Sequence, residues 1–270
     1  KQKQYRKVNH RFGEISSTFS LVVLLVFLWF HGFAFVDEMA LKVSDHWLLR
    51  PLLFFAIIGL ASFLIGLPFS VYETFIIEER FGFNTTTPRT FVLDQIKGLL
   101  LGALIGGGLL ALIVWFYEAT GEWFWLYAWG GLTVFMVFFS KFYTTLILPL
   151  FNKQTPLEEG ELRTAIEKMS QKAGFNLENV YVMDGSRRST KANAFFAGFG
   201  KNKRIVLFDT LIKELDTDEI VGVLAHEIGH YKKKHIFKNM GISIAQTGIM
   251  FFLLSVFLNA QGLYDAFFME

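Results

Sequence analysis

The chain has 270 residues, of which 53% are hydrophobic and 17% aromatic, with 32 Phe, five Pro and a mean hydropathy of +0.40. That balance is too apolar for an ordinary soluble domain of this length and points to lipid as part of the solvent. The absence of Cys excludes a disulfide framework and a thiolate metal site, and a formal net charge of +2 calls for no nucleic acid partner.

The first residue is Lys1 rather than Met, which reads as a fragment or a processed chain. Residues 1–15 form a basic arm with Lys1, Lys3, Arg6, Lys7 and Arg11. Four apolar runs follow within 16–150, at 16–36, 48–67, 99–117 and 125–150, and a fifth at 241–258 precedes a short tail, 259–270. Each is near the ~20 residues that carry a helix across a ~30 Å hydrocarbon layer. The first is too long for a signal peptide, and four comparable runs succeed it. The expected fold is a multi-pass α-helical membrane protein with a small α+β unit, residues 151–240, on its cytoplasmic side.

Lys and Arg set that orientation. Five lie in the N-terminal arm, three (Arg80, Arg89, Lys97) between the second and third runs, and fifteen in 151–240. The alternate loops hold Lys42 alone. Long loops count for little in this rule, but the short loops agree with them, so the N-terminus and the 151–240 unit should face the cytoplasm. Arg50 lies at a membrane boundary, from which it can snorkel; Lys141 either faces a wet interior or marks the end of a span. The Gly102, Gly106, Gly107 and Gly108 cluster reads as a close helix-packing face.

Within 151–240, Pro156-Leu157-Glu158-Glu159 opens a predicted helix that runs to about Ala173. Residues 179–184 alternate as a strand, and 194–199 with 204–208 form a predicted hairpin around Gly200-Lys201-Asn202-Lys203. A helix comes next, opened by Asp216 and Glu219 in capping-box spacing, and it contains His226-Glu227-Ile228-Gly229-His230. At about 100° per residue, His226 and His230 project from one face one turn apart, a spacing that lets two imidazoles grip one metal ion. Glu227 between them is the expected proton acceptor for an activated water. Apolar neighbours (Ile220, Val221, Val223, Leu224, Ile228) predict a desolvated His pair. Gly229, at a cost of ~1 kcal/mol against Ala, predicts a close approach there. His235, nine positions after His226, falls on the opposite face of a continuing helix and reads as a basic tip beside Lys232–Lys234.

Together these residues resemble the type I CAAX prenyl proteases, multi-pass membrane zinc metalloproteases. The resemblance is carried by Ile77-Glu78-Glu79-Arg80-Phe81-Gly82-Phe83-Asn84, Pro149-Leu150-Phe151-Asn152-Lys153, Ala192-Asn193-Ala194-Phe195-Phe196, the stretch from Lys203 to Leu211, and Leu224 to His230. It implies a seven-helix enzyme around a water-filled chamber, with one Zn2+ held by His226 and His230 and with Glu227 as the catalytic acid. It further implies that Asn193, Ala194, Phe195 and Phe196 form an edge strand along which the substrate backbone lies. The family's third ligand is a Glu in a later helix, whereas Asp265 and Glu270 follow about 18 apolar residues, some 27 Å of helix, and fall across the bilayer. The expectation is therefore a C-terminally truncated chain that lacks that ligand and is inactive alone.

The function so implied is a zinc metalloendopeptidase acting on peptide or protein substrates at the lipid bilayer, removing the last three residues after a prenylated Cys. The alternatives are a broad quality-control membrane protease and a non-catalytic membrane scaffold. The expected location is the endoplasmic reticulum in a eukaryote or the inner membrane in a bacterium.

Overall fold

A computed structural model describes residues 2–172, 179–197 and 204–258, all with side chains except Ala197, His230 and Tyr231. The chain divides into two compact units. One consists of the chain up to Gly82, Val92–Gly130 and the stretch from Thr247; the other of Phe83–Phe91 and Gly131–Gln246.

The described residues of the first unit are mainly helical. Helix α1 (Gln2–Trp29) is followed by α2 (Gly32–Val43), α3 (Leu49–Tyr72) with a π-helical extension over Glu73–Glu78, most of α4 (Pro88–Thr120), and the start of α5 (Phe124–Leu146). Two expectations change here. The basic arm is not separate from the first apolar run, because α1 is continuous from Gln2. That run is also not one helix: it breaks where His31 takes a left-handed conformation (φ 54°). Gly32 allows the break, since a Cβ there would collide with the ring of Phe27, which in turn meets Phe33 edge-on at 4.9 Å. The Arg50 guanidinium has a protein partner: it grips the Asp37 carboxylate with two bonds, Nε to Oδ1 at 2.9 Å and Nη2 to Oδ2, tying α3 to α2.

Among the described residues four stretches are long and apolar enough to cross a membrane: Gln2–Trp29, Leu49–Glu78, Pro88–Phe151 and His235–Phe257, the third of which contains both α4 and α5. None of their most apolar windows is buried inside the protein. Leu104 and Val134, for example, are 74% and 71% exposed, as expected of side chains whose neighbour is lipid. The Gly cluster on α4 is no close-packed face. Added Cβ atoms at Gly102, Gly106, Gly107 and Gly108 would meet nothing within 4 Å. Gly102, Gly106 and Gly107 instead line a groove of about 970 Å³, whose α3 side carries Phe55, Leu60 and Phe63, bulky residues where a close crossing requires small ones.

The second unit holds the only sheet among the described residues. After α6 (Leu148–Phe151) come β1 (Gln154–Pro156), α7 (Glu161–Lys172), β2 (Val180–Met183), β3 (Ala194–Ala197) and β4 (Arg204–Phe208). Helices α8 (Asp209–Glu214), α9 (Thr217–Lys232) and α10 (His235–Phe257) complete the described chain. The strand order is β1-β2-β4-β3, with β2 and β4 parallel and both outer pairs antiparallel. Pro156 does not open a helix. It ends an edge strand, where a missing N–H is tolerated, and the next residue, Leu157, donates its N–H to Val180 O at 2.9 Å. The predicted hairpin pairs in antiparallel register from Ala194↔Leu207 to Ala197↔Arg204; its turn, 198–203, lies outside the described residues, as does Ala173.

Alternation sorts the strands onto two faces. Val180, Ala194, Ile205 and Leu207 pack with Ile166 of α7, Leu211 of α8, and Ile220 and Leu224 of α9. Val206, Met183 and Leu148 form a smaller cluster on the other face. Ile166, Ile205, Val206, Leu207 and Leu224 are completely buried, so this unit has a dry protein core of its own.

Candidate active site

The helix that carries the expected His226, Glu227 and His230 is α9, and its start is built as the sequence predicts. Asp216 Oδ1 accepts the Glu219 N–H at 2.8 Å, and Glu219 Oε2 accepts the Asp216 N–H at 3.1 Å, closing a reciprocal capping box. Asp218 and Glu219 in the first turn also suit the positive end of the helix dipole. Ile220, Leu224 and Ile228, at four-residue spacing and at most 2% exposed, form the face that enters the core.

That face decides where the HExxH residues point. His226 lies about 200° around the helix from Leu224, and it is exposed. Glu227 is half-buried. The expectation of a desolvated His226 therefore fails: the apolar neighbours serve the opposite face, and the imidazole is turned outward. His230 belongs to the same helix one turn on, in the register that a two-imidazole site requires, while its side chain is outside the described residues. Gly229 is helical, and a Cβ there would meet nothing within 4 Å, so no described group makes the predicted close approach. His235 is not the tip of a continuing helix. α9 ends at Lys232, Lys234 turns left-handed (φ 56°), and His235 begins α10.

The donor chemistry fits a zinc ion as far as it extends. Two imidazoles at i and i+4 with a carboxylate between them suit a borderline-soft cation with tetrahedral preference. Among the described residues no group of three or more His, Cys, Asp or Glu gathers as a complete ligand set.

The strand expected to hold substrate is an edge of the described sheet, and α9 packs against it. Phe208 donates its N–H to Asn193 O at 3.0 Å, and Phe195 is paired with Val206 two residues on. In an antiparallel ladder the backbone groups of 193 and 195 then face β4, whereas those of Ala194 and Phe196 point away from it. Side chains follow the same alternation: Ala194 and Phe196 pack on the α9 side, and Phe195 stands edge-on to Phe208 at 6.3 Å on the other. The Ala194 N–H, which points outward, is held by the Asn193 Oδ1 at 2.9 Å.

A clamp around residues 184–191 went unseen in the sequence. Asp184 accepts the Lys153 N–H at 2.8 Å and the Asn152 Nδ2 at 3.1 Å. Thr85 donates through Oγ1 to Ser186 O at 2.7 Å and through N–H to Arg188 O at 3.2 Å, and Asn84 bridges to Ser189. Asp209 accepts the Ser186 N–H at 2.8 Å and the Ser186 hydroxyl, and Thr210 Oγ1 donates to Lys191 O at 3.0 Å. Burial pushes the Asp209 carboxyl up, but the Ser186 bonds, with Lys213 and the Thr210 N–H, outweigh it and hold the carboxyl below the usual range. Asn84, Asn152 and Asp209 lie far apart in the chain, yet all three fasten the turn that leads into β3. The available signal was their type, Asn and Asp, whose short side chains bond nearby backbone.

Comparisons with known proteins agree with this architecture. A family model described as CAAX prenyl protease N-terminal, five membrane helices, matches residues 1–153, and the model of peptidase family M48 matches 156–269. The chain is 38% identical to the probable CAAX prenyl protease 1 of Schizosaccharomyces pombe, covering 97% of this chain and 58% of that protein. It is 36% identical to CAAX prenyl protease 1 of Saccharomyces cerevisiae, covering 99% and 61%. The crystal structure of S. mikatae Ste24p superposes with a TM-score of 0.91 at 36% identity, covering 98% of this chain and 63% of that one. The chain thus spans about 60% of the length of these relatives.

Proposed function

We propose, for a chain that belongs to peptidase family M48 and carries that family's CAAX prenyl protease N-terminal region, that α9 supplies the reactive groups of a membrane zinc metalloendopeptidase. One observation carries the reading. A single capped helix buries Ile220, Leu224 and Ile228, turns His226 outward, and packs against the edge strand of the described sheet.

His226 and His230 would hold the metal, each through one ring nitrogen. A zinc ion in that position supplies Lewis acidity, polarising a carbonyl and bringing the pKa of water toward ~7. Glu227, on the same turn, accepts the proton of the attacking water and returns it to the departing amine. The Ala194 N–H and C=O, which point away from β4, pair with an extended substrate, which fixes its backbone without reading side chains. For that pairing the Asn193 carboxamide releases the Ala194 N–H to a substrate carbonyl. The clamped turn 184–191 keeps β3 in position for it.

The names of the relatives support a substrate whose C-terminal tail bears a prenylated Cys, cut just after that residue. A lipid-bearing tail also gives a reason for a peptidase set among membrane helices, because the prenyl group can remain in an apolar medium. The Lys and Arg distribution supports an N-terminus and α9 that face the cytoplasm. Edge-strand binding tolerates many sequences, which favours broad quality-control proteolysis as the second reading.

In the full-length protein in lipid, Glu227→Gln should retain zinc and lose cleavage by a factor of about 10²–10⁴. Equal turnover in variant and parent would remove Glu227 from the chemistry. A panel of matched peptides with and without the prenyl group separates the two readings: a strong preference for the lipid supports tail processing, and none supports quality control.

A further inference from the structure

The charged half of α1 takes no part in the site described above. Lys3, Arg6, Lys7 and Arg11 are all exposed. At about 100° per residue they fall within an arc of roughly 140° on one side of the helix. The other side is engaged with protein. Tyr5 donates its hydroxyl to Glu78 and meets Phe81 edge-on at 5.3 Å, and Phe12 stacks on Tyr72 at 5.2 Å. Those contacts fix the rotation of α1 about its axis and turn the basic arc away from the bundle. Glu14, the one acid on α1, is already matched with His10 at 3.2 Å.

Helix length sets the depth. Trp29, at the far end of α1, is 81% exposed, and exposed Trp favours the membrane–water boundary. The 18 positions from Arg11 to Trp29 span about 27 Å, close to the ~30 Å of a hydrocarbon layer. With Trp29 at one boundary, Arg11 reaches the other. Lys7 and Lys3 follow at about 6 and 12 Å farther, through the headgroup layer and just beyond it.

We propose that the Lys3, Arg6, Lys7 and Arg11 face of α1 is a binding surface for anionic phospholipid headgroups. The guanidinium groups fork onto phosphate oxygens and the ammonium groups act as point charges beside them. The inference rests on α1 crossing the bilayer and on neither the zinc chemistry nor the orientation, since symmetric vesicles present the same lipids on both sides.

The test uses the full-length protein in phosphatidylcholine vesicles that contain a minority of phosphatidylserine. Spin-labelled phosphatidylserine and phosphatidylcholine report which lipid is held at the protein surface. The parent should prefer phosphatidylserine roughly threefold or more, and the preference should shrink toward none in molar salt. Lys7→Gln/Arg11→Gln should weaken it clearly, whereas Lys168→Gln/Lys172→Gln on α7, an equal change of charge, should not. A parent without preference, or equal effects of the two pairs, overturns the proposal. So does a preference that molar salt leaves intact, a readout that needs no variant to fold.

Discussion

Helices α4 and α9 are both rich in apolar residues, yet they bury them against different media. In α4 only Thr90 and Phe91, in its first turn, are buried in protein, and Leu104 in its middle is 74% exposed. In α9 three apolar side chains at four-residue spacing are buried in protein, two of them, Ile220 and Leu224, in the core cluster that includes the sheet. The first helix meets lipid around much of its girth, so its sequence is apolar with little periodicity. The second buries one face in protein and leaves His226 exposed on the other.

The sharpest way to break that comparison is on the outward face of α9. His226→Ala in the full-length protein should lower zinc content and reduce cleavage by at least roughly 10²-fold, while His235→Ala at the start of α10 leaves both near the parent value. Metal analysis beside a peptide assay reads the outcome, and comparable zinc loss in both variants would detach the site from α9. On the inward face, Leu224→Ala should cost about 2–5 kcal/mol by removing a completely buried side chain. Leu104→Ala on α4 should cost under about 0.5 kcal/mol, because its leucine stays in hydrocarbon whether or not the protein is folded. Thermal unfolding in detergent compares the two, and equal losses would mean that α4 has a protein partner.

Asp216→Ala sharpens the same contrast at the helix start. Loss of the reciprocal cap should cost about 1 kcal/mol, visible as faster amide exchange in the first turn of α9 with α4 unchanged. The smallest effect concerns Asp209, whose folded pKa is depressed. A depressed carboxyl stabilises the fold above its unfolded pKa of about 3.9, and that contribution fades as pH falls below this value toward the folded pKa. Asp209→Asn should therefore flatten the acid limb of stability below about pH 4 and leave the α1–α3 region unaffected. An unchanged acid limb would show that the Ser186 bonds do not favour the charged form.

Much of the site was readable locally. The capping box, the helical register of 226 and 230, and the antiparallel pairing of 194–197 with 204–208 all depend on neighbours within a few residues or on simple alternation. The desolvated His226 was misread for a definite reason. Apolar residues at 220, 221, 223, 224 and 228 wrap most of a helix, and only a partner can select which of them form the buried face. The core around the sheet buried 220 and 224 fully and left 221 and 223 only partly buried against it, while 228 is buried as well. Pro156 misled in the same way, since its helix-start signal is local and the β2 strand that captured it begins 24 residues later.

Hydropathy, summed along the chain, was enough to establish an integral membrane protein, because transfer from water to hydrocarbon is additive over a run of residues. The ordered motifs likewise identified the peptidase family. Tertiary structure alone decided the outward turn of His226, the place of β3 at the edge of the described sheet, and the meeting of Asn84, Asn152 and Asp209 at one turn. Each of these depends on contacts between residues distant in sequence, and the direction of a side chain is settled by whatever packs behind it.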